Sequence, residues 1–337
     1  MLSCDVIKIE NLLADAHTFD IRWRVTTLCN YQCDFCIQGD RESHLRQSEG
    51  ETAQLRGKIC EEIIRLIEGL DGYDTVKVSL IGGELTILPD FPAILEKLAL
   101  CRFGGNIRFD ITTNFSQDTD YFCRLCDIIQ KTAGQKRRSL FIGTSYYSAY
   151  SDKRMFAEKL RAVYDHAQLT PDPDGQEKRI RLSAGIPLLS DRDHGLLTEM
   201  REMFKDTDVT IEPIFIRNYA TSVSADTVNK LLVPRENGIR VTDRYGRVSG
   251  YQNIQALGAA LEDVDSFRPT GYVCDAGVRS VWIDAFGNAK RCPAIGSTMV
   301  MGNILQGSFH PLEGPQVCSS DHCSCSQYGR IEKHPFR

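Results

Sequence analysis

Three cysteines within eight residues carry the first chemistry open to this chain. They stand in Thr27-Leu28-Cys29-Asn30-Tyr31-Gln32-Cys33-Asp34-Phe35-Cys36, spaced Cys-x3-Cys-x2-Cys. Thiolates this close can wrap one face of a cubane iron–sulfur cluster and leave its fourth iron open to an external ligand. Zinc would ask for a fourth protein ligand, and His44 is the nearest imidazole. A second group lies beyond residue 270: Cys274, Cys292, Cys318, Cys323 and Cys325. Between the first two, Asp284-Ala285-Phe286-Gly287-Asn288 reads as a hairpin turn after a strand at Val281–Ile283, which places two thiols near one end of a small hairpin. The last three return on a loop. Together they supply enough sulfur for a four-thiolate site, with three thiols competing for two places.

The elements that must hold these thiols alternate in period. Strand patterns fall at Ile21–Thr27, Thr75–Ile81, Ile107–Thr113, Ser139–Ser145, Arg179–Pro187 and Val209–Ile216. Helical patterns separate them at Leu55–Leu70, Pro92–Cys101, Tyr121–Thr132, Lys153–Ala167 and Gly195–Phe204. Six such units predict an α/β fold with a parallel sheet and right-handed crossovers. The first cysteine group follows the first strand. Beyond the sixth strand, Asp243-Arg244-Tyr245-Gly246-Arg247 reads as a hairpin turn, followed by a helix near Asn253–Val264. After Pro269 the segments are short, Gly-rich and Cys-rich, too small for a core of their own, and a metal is the expected staple.

Composition narrows the class. The chain has 337 residues, 42% hydrophobic and 25% charged, as expected of a globular protein with a full core. A net charge of −5 argues against a nucleic-acid partner, which would need a basic stripe. Apolar runs are far short of a membrane span, and a charged-then-apolar leader is absent from the opening, so cytoplasmic residence is expected. Thirteen cysteines, an odd number, favour metal over disulfides in that compartment. Cys123-x2-Cys126 has redox spacing but sits in a helical pattern with Phe122, Leu125 and Ile128, which reads as core. Cys4, Cys60 and Cys101 have no partner in sequence, and the seven histidines show no ligand spacing.

The first cysteine group, on the loop after strand one with Phe35 before its last thiol, resembles the signature of the radical SAM superfamily. That resemblance implies a partial (β/α)6 TIM-like barrel. It also implies a [4Fe–4S] cluster on Cys29, Cys33 and Cys36 that chelates S-adenosylmethionine (SAM) and cleaves it to a 5′-deoxyadenosyl radical. Ile81-Gly82-Gly83-Glu84 at the end of strand two resembles the Gly-Gly-Glu motif that holds the SAM amino group. Glycines allow close backbone approach, and a carboxylate pairs with an ammonium. Thr113 and Asn114 end strand three and Ser145 ends strand four, where they are expected to reach the SAM ribose and carboxylate. Taken singly, such residues cap helices and turns.

The spacing Cys274-x12-Gly287-x4-Cys292 resembles the SPASM and twitch extensions of that superfamily. Five cysteines fit the shorter twitch form, with one auxiliary [4Fe–4S] cluster; a structural zinc is the alternative. These resemblances divide the chain into an N-terminal segment (1–19), a radical SAM partial barrel (20–220), a bridging hairpin and helix (221–269) and a twitch-like domain (270–337).

Strand alternation bears on the substrate. Ile21, Trp23 and Val25 suit the face under the helices, which turns Arg22 and Arg24 into the lumen; Val76 and Val78 oppose Lys77, and Ile180 and Leu182 oppose Arg179 and Arg181. Glu212 stands among these positions on strand six. A net basic lumen predicts an anionic group on the substrate, unless these charges reach solvent at the strand starts. The family's chemistry then implies an oxidoreductase acting on a small polar metabolite of sugar, aminocyclitol or nucleoside type, with flavodoxin or ferredoxin as electron donor. A peptide maturase is the alternative, although a leader-binding domain has no room ahead of strand one. A non-catalytic iron–sulfur scaffold leaves Gly82-Gly83-Glu84 without a purpose. Molybdopterin-pathway cyclases end in a glycine–arginine tail, whereas this chain ends Lys333-His334-Pro335-Phe336-Arg337.

Overall fold

A computed structural model describes residues 6–11, 17–33, 36, 50–132, 137–169, 179–190, 193–215, 239–243, 248–251, 272–292, 300–318 and 333–335. The expected helix near Asn253–Val264 lies outside these residues, as do Phe35, Cys323 and Cys325.

Six parallel strands form the centre: β2 (Thr18–Thr26), β3 (Thr75–Gly82), β4 (Asn106–Thr113), β5 (Arg138–Ser145), β6 (Ile180–Leu188) and β7 (Thr210–Phe215), paired in that order. Five helices connect them: α1 (Ala53–Glu68), α2 (Phe91–Ala99), α3 (Thr119–Lys131), α4 (Lys153–Gln168) and α5 (Asp193–Met203). Side-chain oxygens of Thr52, Asp118 and Asp152 cap the first turns of α1, α3 and α4, accepting from Leu55, Tyr121 and Met155 N–H at 3.0, 2.8 and 2.9 Å. Pro92 opens α2, where a missing N–H costs nothing.

The face under the helices is apolar throughout. Ile21, Trp23, Val25, Val76, Val78, Leu80, Ile107, Phe109, Ile111, Leu140 and Ile142 are buried there against Ile59, Ile63, Leu95, Leu125 and Leu160 of the helices. The opposite face of β5 carries the half-buried Ser139, Phe141, Gly143 and Ser145, alternating strictly with buried neighbours. Arg138 is itself buried and donates to the carbonyls of Ala99, Cys101 and Gly105, pinning the turn after α2.

The hairpin expected near residue 284 forms, with β11 (Ser280–Ile283) and β12 (Asn288–Lys290) joined through Gly287 at φ 82°. It does not stand apart. β11 pairs in parallel with β2, in the register Trp282 opposite Arg22, and β13 (Val300–Asn303) pairs beyond β12. The resulting nine-stranded sheet runs β13-β12-β11-β2-β3-β4-β5-β6-β7 and is open, with β13 and β7 at its edges.

A second sheet of six strands is gathered from distant parts of the chain. β1 (Val6–Asn11) pairs with β8 (Ile239–Asp243) and β15 (Lys333–Pro335). β8 forms the expected hairpin with β9 (Val248–Tyr251). β10 (Tyr272–Cys274) lies between β15 and β14 (Gln316–Val317). Strand pairing therefore crosses the expected segment boundaries at 19/20, 220/221 and 269/270. Among the described residues, no helix is long and apolar enough to cross a membrane.

Candidate active site at the ends of the parallel strands

The end of β2 delivers Cys29, Cys33 and Cys36 on the following loop, all three half-buried. Backbone packing explains the glycines nearby. The Gly83 N–H donates to the Thr26 carbonyl at 3.1 Å, and the Glu84 N–H to that of Leu28 at 2.7 Å. A Cβ on Gly83 would lie 2.2 Å from the Leu28 oxygen, and one on Gly82 2.5 Å from that of Thr26. The close approach that sequence reading reserved for a ligand is made first to the cysteine loop itself.

Glu84 occupies a different setting from the one expected. Its carboxylate is fully buried and accepts from Thr86 N–H (3.0 Å), Thr86 Oγ1 (2.6 Å), Thr113 Oγ1 (2.8 Å) and Asn114 N–H. Burial raises its pKa, and the hydrogen bonds from Thr86, Asn114 and Thr113 act in the opposite direction. Glu84 thus ties the end of β3 to the end of β4, and Thr113 spends its hydroxyl on that tie. Asn114 bonds from its side-chain amide to Asn30 at 2.8 Å, and Asn30 in turn donates to Ser116 Oγ at 3.0 Å. Ser145 is half-buried on the lumen face at the end of β5.

Several contributors were not legible in sequence. Glu51, 4% exposed, accepts from both Thr26 and Thr27 hydroxyls at 2.8 Å and from the Thr27 N–H at 3.2 Å, gripping the chain just before Cys29. Read alone, an acid beside the N-cap Thr52 gives no sign of this. Tyr31 stacks on Tyr150 with centroids 4.2 Å apart, and Tyr150 Oη accepts from the Gln32 N–H at 3.0 Å. Phe115, after Thr113-Asn114, adopts φ 59° and turns the chain out of β4 into a buried aromatic group with Phe122 and Phe156. Lys159 holds that turn, donating to the Phe115 and Gln117 carbonyls at 2.6 and 2.7 Å.

In the loop itself the Cys36 N–H donates to the Cys33 carbonyl at 3.1 Å, and the Tyr31 N–H to Cys29 Sγ at 3.4 Å. Burial pushes the Cys29 thiol up, with the Tyr31 N–H acting against it. The donor set, three half-buried thiols on one turn, fits three corners of a cubane cluster. Among the described residues no three His, Cys, Asp or Glu side chains are already closed around one point.

Residues 23–133 match the sequence profile of the Radical SAM superfamily. They belong to that superfamily. The family implies a [4Fe–4S] cluster and SAM. Among curated proteins, the chain is similar to the GTP 3′,8-cyclase of Aeromonas hydrophila, 32% identical over 94 residues, or 28% of this chain and 26% of that one. It is also similar to the GTP 3′,8-cyclase of Edwardsiella ictaluri, 36% identical over 103 residues, or 30% and 29%. The match thus spans between a quarter and a third of these relatives. Solved structures that resemble the chain include BtrN in complex with AdoMet and 2-DOIA (13% identity, TM-score 0.40, 87% of this chain and 80% of that one). Another is anSMEcpe with bound AdoMet (12%, 0.45, 85% and 75%).

The second thiol group is partly assembled. Cys274 is buried, and Cys292 packs against it. The buried Arg291 donates to the carbonyls of Cys274 (2.6 Å), Ala276 (2.8 Å), Gln316 (2.6 Å) and Val317 (3.2 Å). Cys318 follows directly on β14, which pairs with β10. Cys126 is fully buried in α3, its thiol pushed up to about 12 by burial, and Cys60 likewise; Cys101 is pushed up to about 11. All three behave as apolar core residues.

Proposed function

We propose that this protein is a radical SAM oxidoreductase acting on a small, polar, anionic metabolite. The observation that carries the reading is the Gly82–Gly83 backbone pressed against Thr26–Leu28, which braces the three-cysteine loop at the open end of a parallel half-barrel. Cys29, Cys33 and Cys36 would hold a [4Fe–4S] cluster. Bound there, it would supply the electron for reductive cleavage of SAM and so the means of hydrogen-atom abstraction from the substrate.

The chain's own residues frame that event. Glu51 and Glu84 fix the two backbone segments beside the cysteines and act as positioning residues. Ser145, Asn114 and the backbone of Gly82–Gly83 are the candidates to contact SAM, and Phe35 remains one from sequence. Cys274 and Cys292, with two of Cys318, Cys323 and Cys325, would hold one auxiliary [4Fe–4S] cluster, which would supply an electron acceptor beside the site. Residence in the cytoplasm and a flavodoxin or ferredoxin donor complete the proposal.

The test uses protein reconstituted anaerobically with iron and sulfide, then given SAM and dithionite. 5′-Deoxyadenosine is quantified alone, with GTP, with a pooled fraction of anionic metabolites and with a peptide fraction. Stimulation by an anionic metabolite, absent in the Cys29→Ala/Cys33→Ala/Cys36→Ala variant, is expected. Absence of 5′-deoxyadenosine from cluster-loaded protein in every tube would overturn the reading, and stimulation by peptide alone would transfer it to peptide modification.

A further inference from the structure

Of the lumen cations expected from strand alternation, Arg179 is buried just before β6; the others, taken with Arg108 and Lys290, which the structure adds, fall into three groups once the strands are paired. Arg108 and Arg181, in the first halves of β4 and β6, are exposed to solvent. Arg22 and Lys77 face carboxylates, Asp20 at 3.8 Å and Asp110 in close contact. Arg24 and Lys290 differ from both: among the described residues neither has a carboxylate within ion-pair distance. Both instead lie against Trp282, the Arg24 guanidinium 5.1 Å and the Lys290 ammonium 5.3 Å from the ring centroid.

Strand order explains the arrangement. Trp282 sits on β11, 5% exposed, with β2 on one side and β12 on the other. Lys290 is directly opposite it on β12, and Arg24 is two residues beyond its β2 partner Arg22. Among the described residues, Arg24 Nε is buried without a hydrogen-bond acceptor. Arg24 is also two residues from the end of β2 and five from Cys29, on the open side of the sheet. Two cations held over one indole, without counter-charge among the described residues and close to the cysteine loop, leave positive potential where a substrate would lie.

We propose that Arg24 and Lys290, braced by Trp282, form the subsite that binds the substrate's anionic group, a phosphate or a carboxylate. This rests on the functional reading above and assigns its substrate class to the seam between barrel and C-terminal hairpin. Arg24 offers a planar fork of donors and Lys290 a point charge, a combination suited to a compact oxyanion.

Equilibrium dialysis of the reconstituted protein against radiolabelled pyrophosphate and, separately, malonate at fixed ionic strength tests it without any radical chemistry. Saturable binding of one probe is expected, weakened about tenfold or more in Arg24→Gln and in Lys290→Gln and unchanged in Arg108→Gln. The preferred probe distinguishes phosphate from carboxylate. SAM binding, measured in parallel, should be the same in all four proteins. Failure of both probes to bind, or equal losses in Arg108→Gln, would overturn the subsite while leaving 5′-deoxyadenosine formation as a separate question.

Discussion

The two thiol-bearing regions are built on opposite principles. The first places three thiols on eight consecutive residues, so that chain proximity brings them together, and the fold's task is to brace the loop from outside. It does so with two buried carboxylates and a glycine pair: Glu51 grips Thr26 and Thr27, Glu84 locks the ends of β3 and β4, and Gly82–Gly83 lies flush against the loop's entry. The second draws thiols from segments 18 and 26 residues apart (274, 292 and 318). There the gathering is done by a sheet ladder and by one guanidinium reaching four carbonyls. A local motif needs tertiary support only for orientation; a dispersed one needs it for existence.

The comparison can be broken from either side. The largest effect is expected for Gly83→Ala, whose methyl would overlap the Leu28 carbonyl and push the cysteine loop outward. We expect a stability loss of about 3 kcal/mol by urea unfolding and loss of the iron proposed for Cys29, Cys33 and Cys36, with that proposed for the C-terminal thiols retained. Arg291→Ala should do the reverse. Orphaning the carbonyls it serves costs about 2–3 kcal/mol, and iron analysis with Mössbauer spectroscopy should show the proposed auxiliary iron missing while that proposed for the first thiol group remains. If Arg291→Ala strips both sites equally, the two regions are one cooperative unit and the contrast fails.

Glu51→Gln sharpens the first half of the comparison. It keeps one acceptor but turns an amide N–H2 toward a donor from Thr26 or Thr27, for an expected cost of about 1–2 kcal/mol. Cluster content should survive, whereas the EPR line shape of the reduced SAM-bound cluster should broaden as the loop loosens; an unchanged spectrum would mean that Glu51 serves stability alone. Cys126→Ala carries the smallest effect, about 1 kcal/mol or a little more, with no change in iron. Its pH signature follows from burial. The folded thiol stays protonated up to about pH 12, whereas the unfolded one ionises near its ordinary value, so stability is complete below that value and falls as pH rises toward 12. The alkaline slope of the urea midpoint should be shallower in the variant.

Much of the central sheet was readable because each strand alternates or runs apolar between helices of opposite period. Ser139–Ser145 and Ile107–Thr113 were placed to within one residue of β5 and β4. The start of β2 lies three residues ahead of the expected one, since the buried Phe19 stands between the polar Thr18 and Asp20 and was not counted with the apolar positions from Ile21. β1 was missed altogether: Val6–Asn11 is short, and its partners Ile239–Asp243 and Lys333–Pro335 lie more than two hundred residues away in sequence. Of the site residues, the three loop cysteines and the glycine pair were visible as motifs. Glu51 was not, because a carboxylate ahead of a capped helix has no sequence feature that separates a clamp from a surface charge.

The sequence by itself determined the period of each element, the position of the thiols relative to strand ends, and the presence of cations on one face of that sheet. Those follow from local geometry: side chains alternate along a strand, and three thiols on one short turn share a neighbourhood. Tertiary structure alone decided what each of those groups meets. It turned Glu84 inward to four donors, set Arg291 among four carbonyls, and laid β11 beside β2. That last pairing puts Arg24, Trp282 and Lys290 in contact across 258 residues of chain, from 24 to 282. Partner choice across such separations depends on strand register and burial of the whole sheet, and neither is written in any single segment.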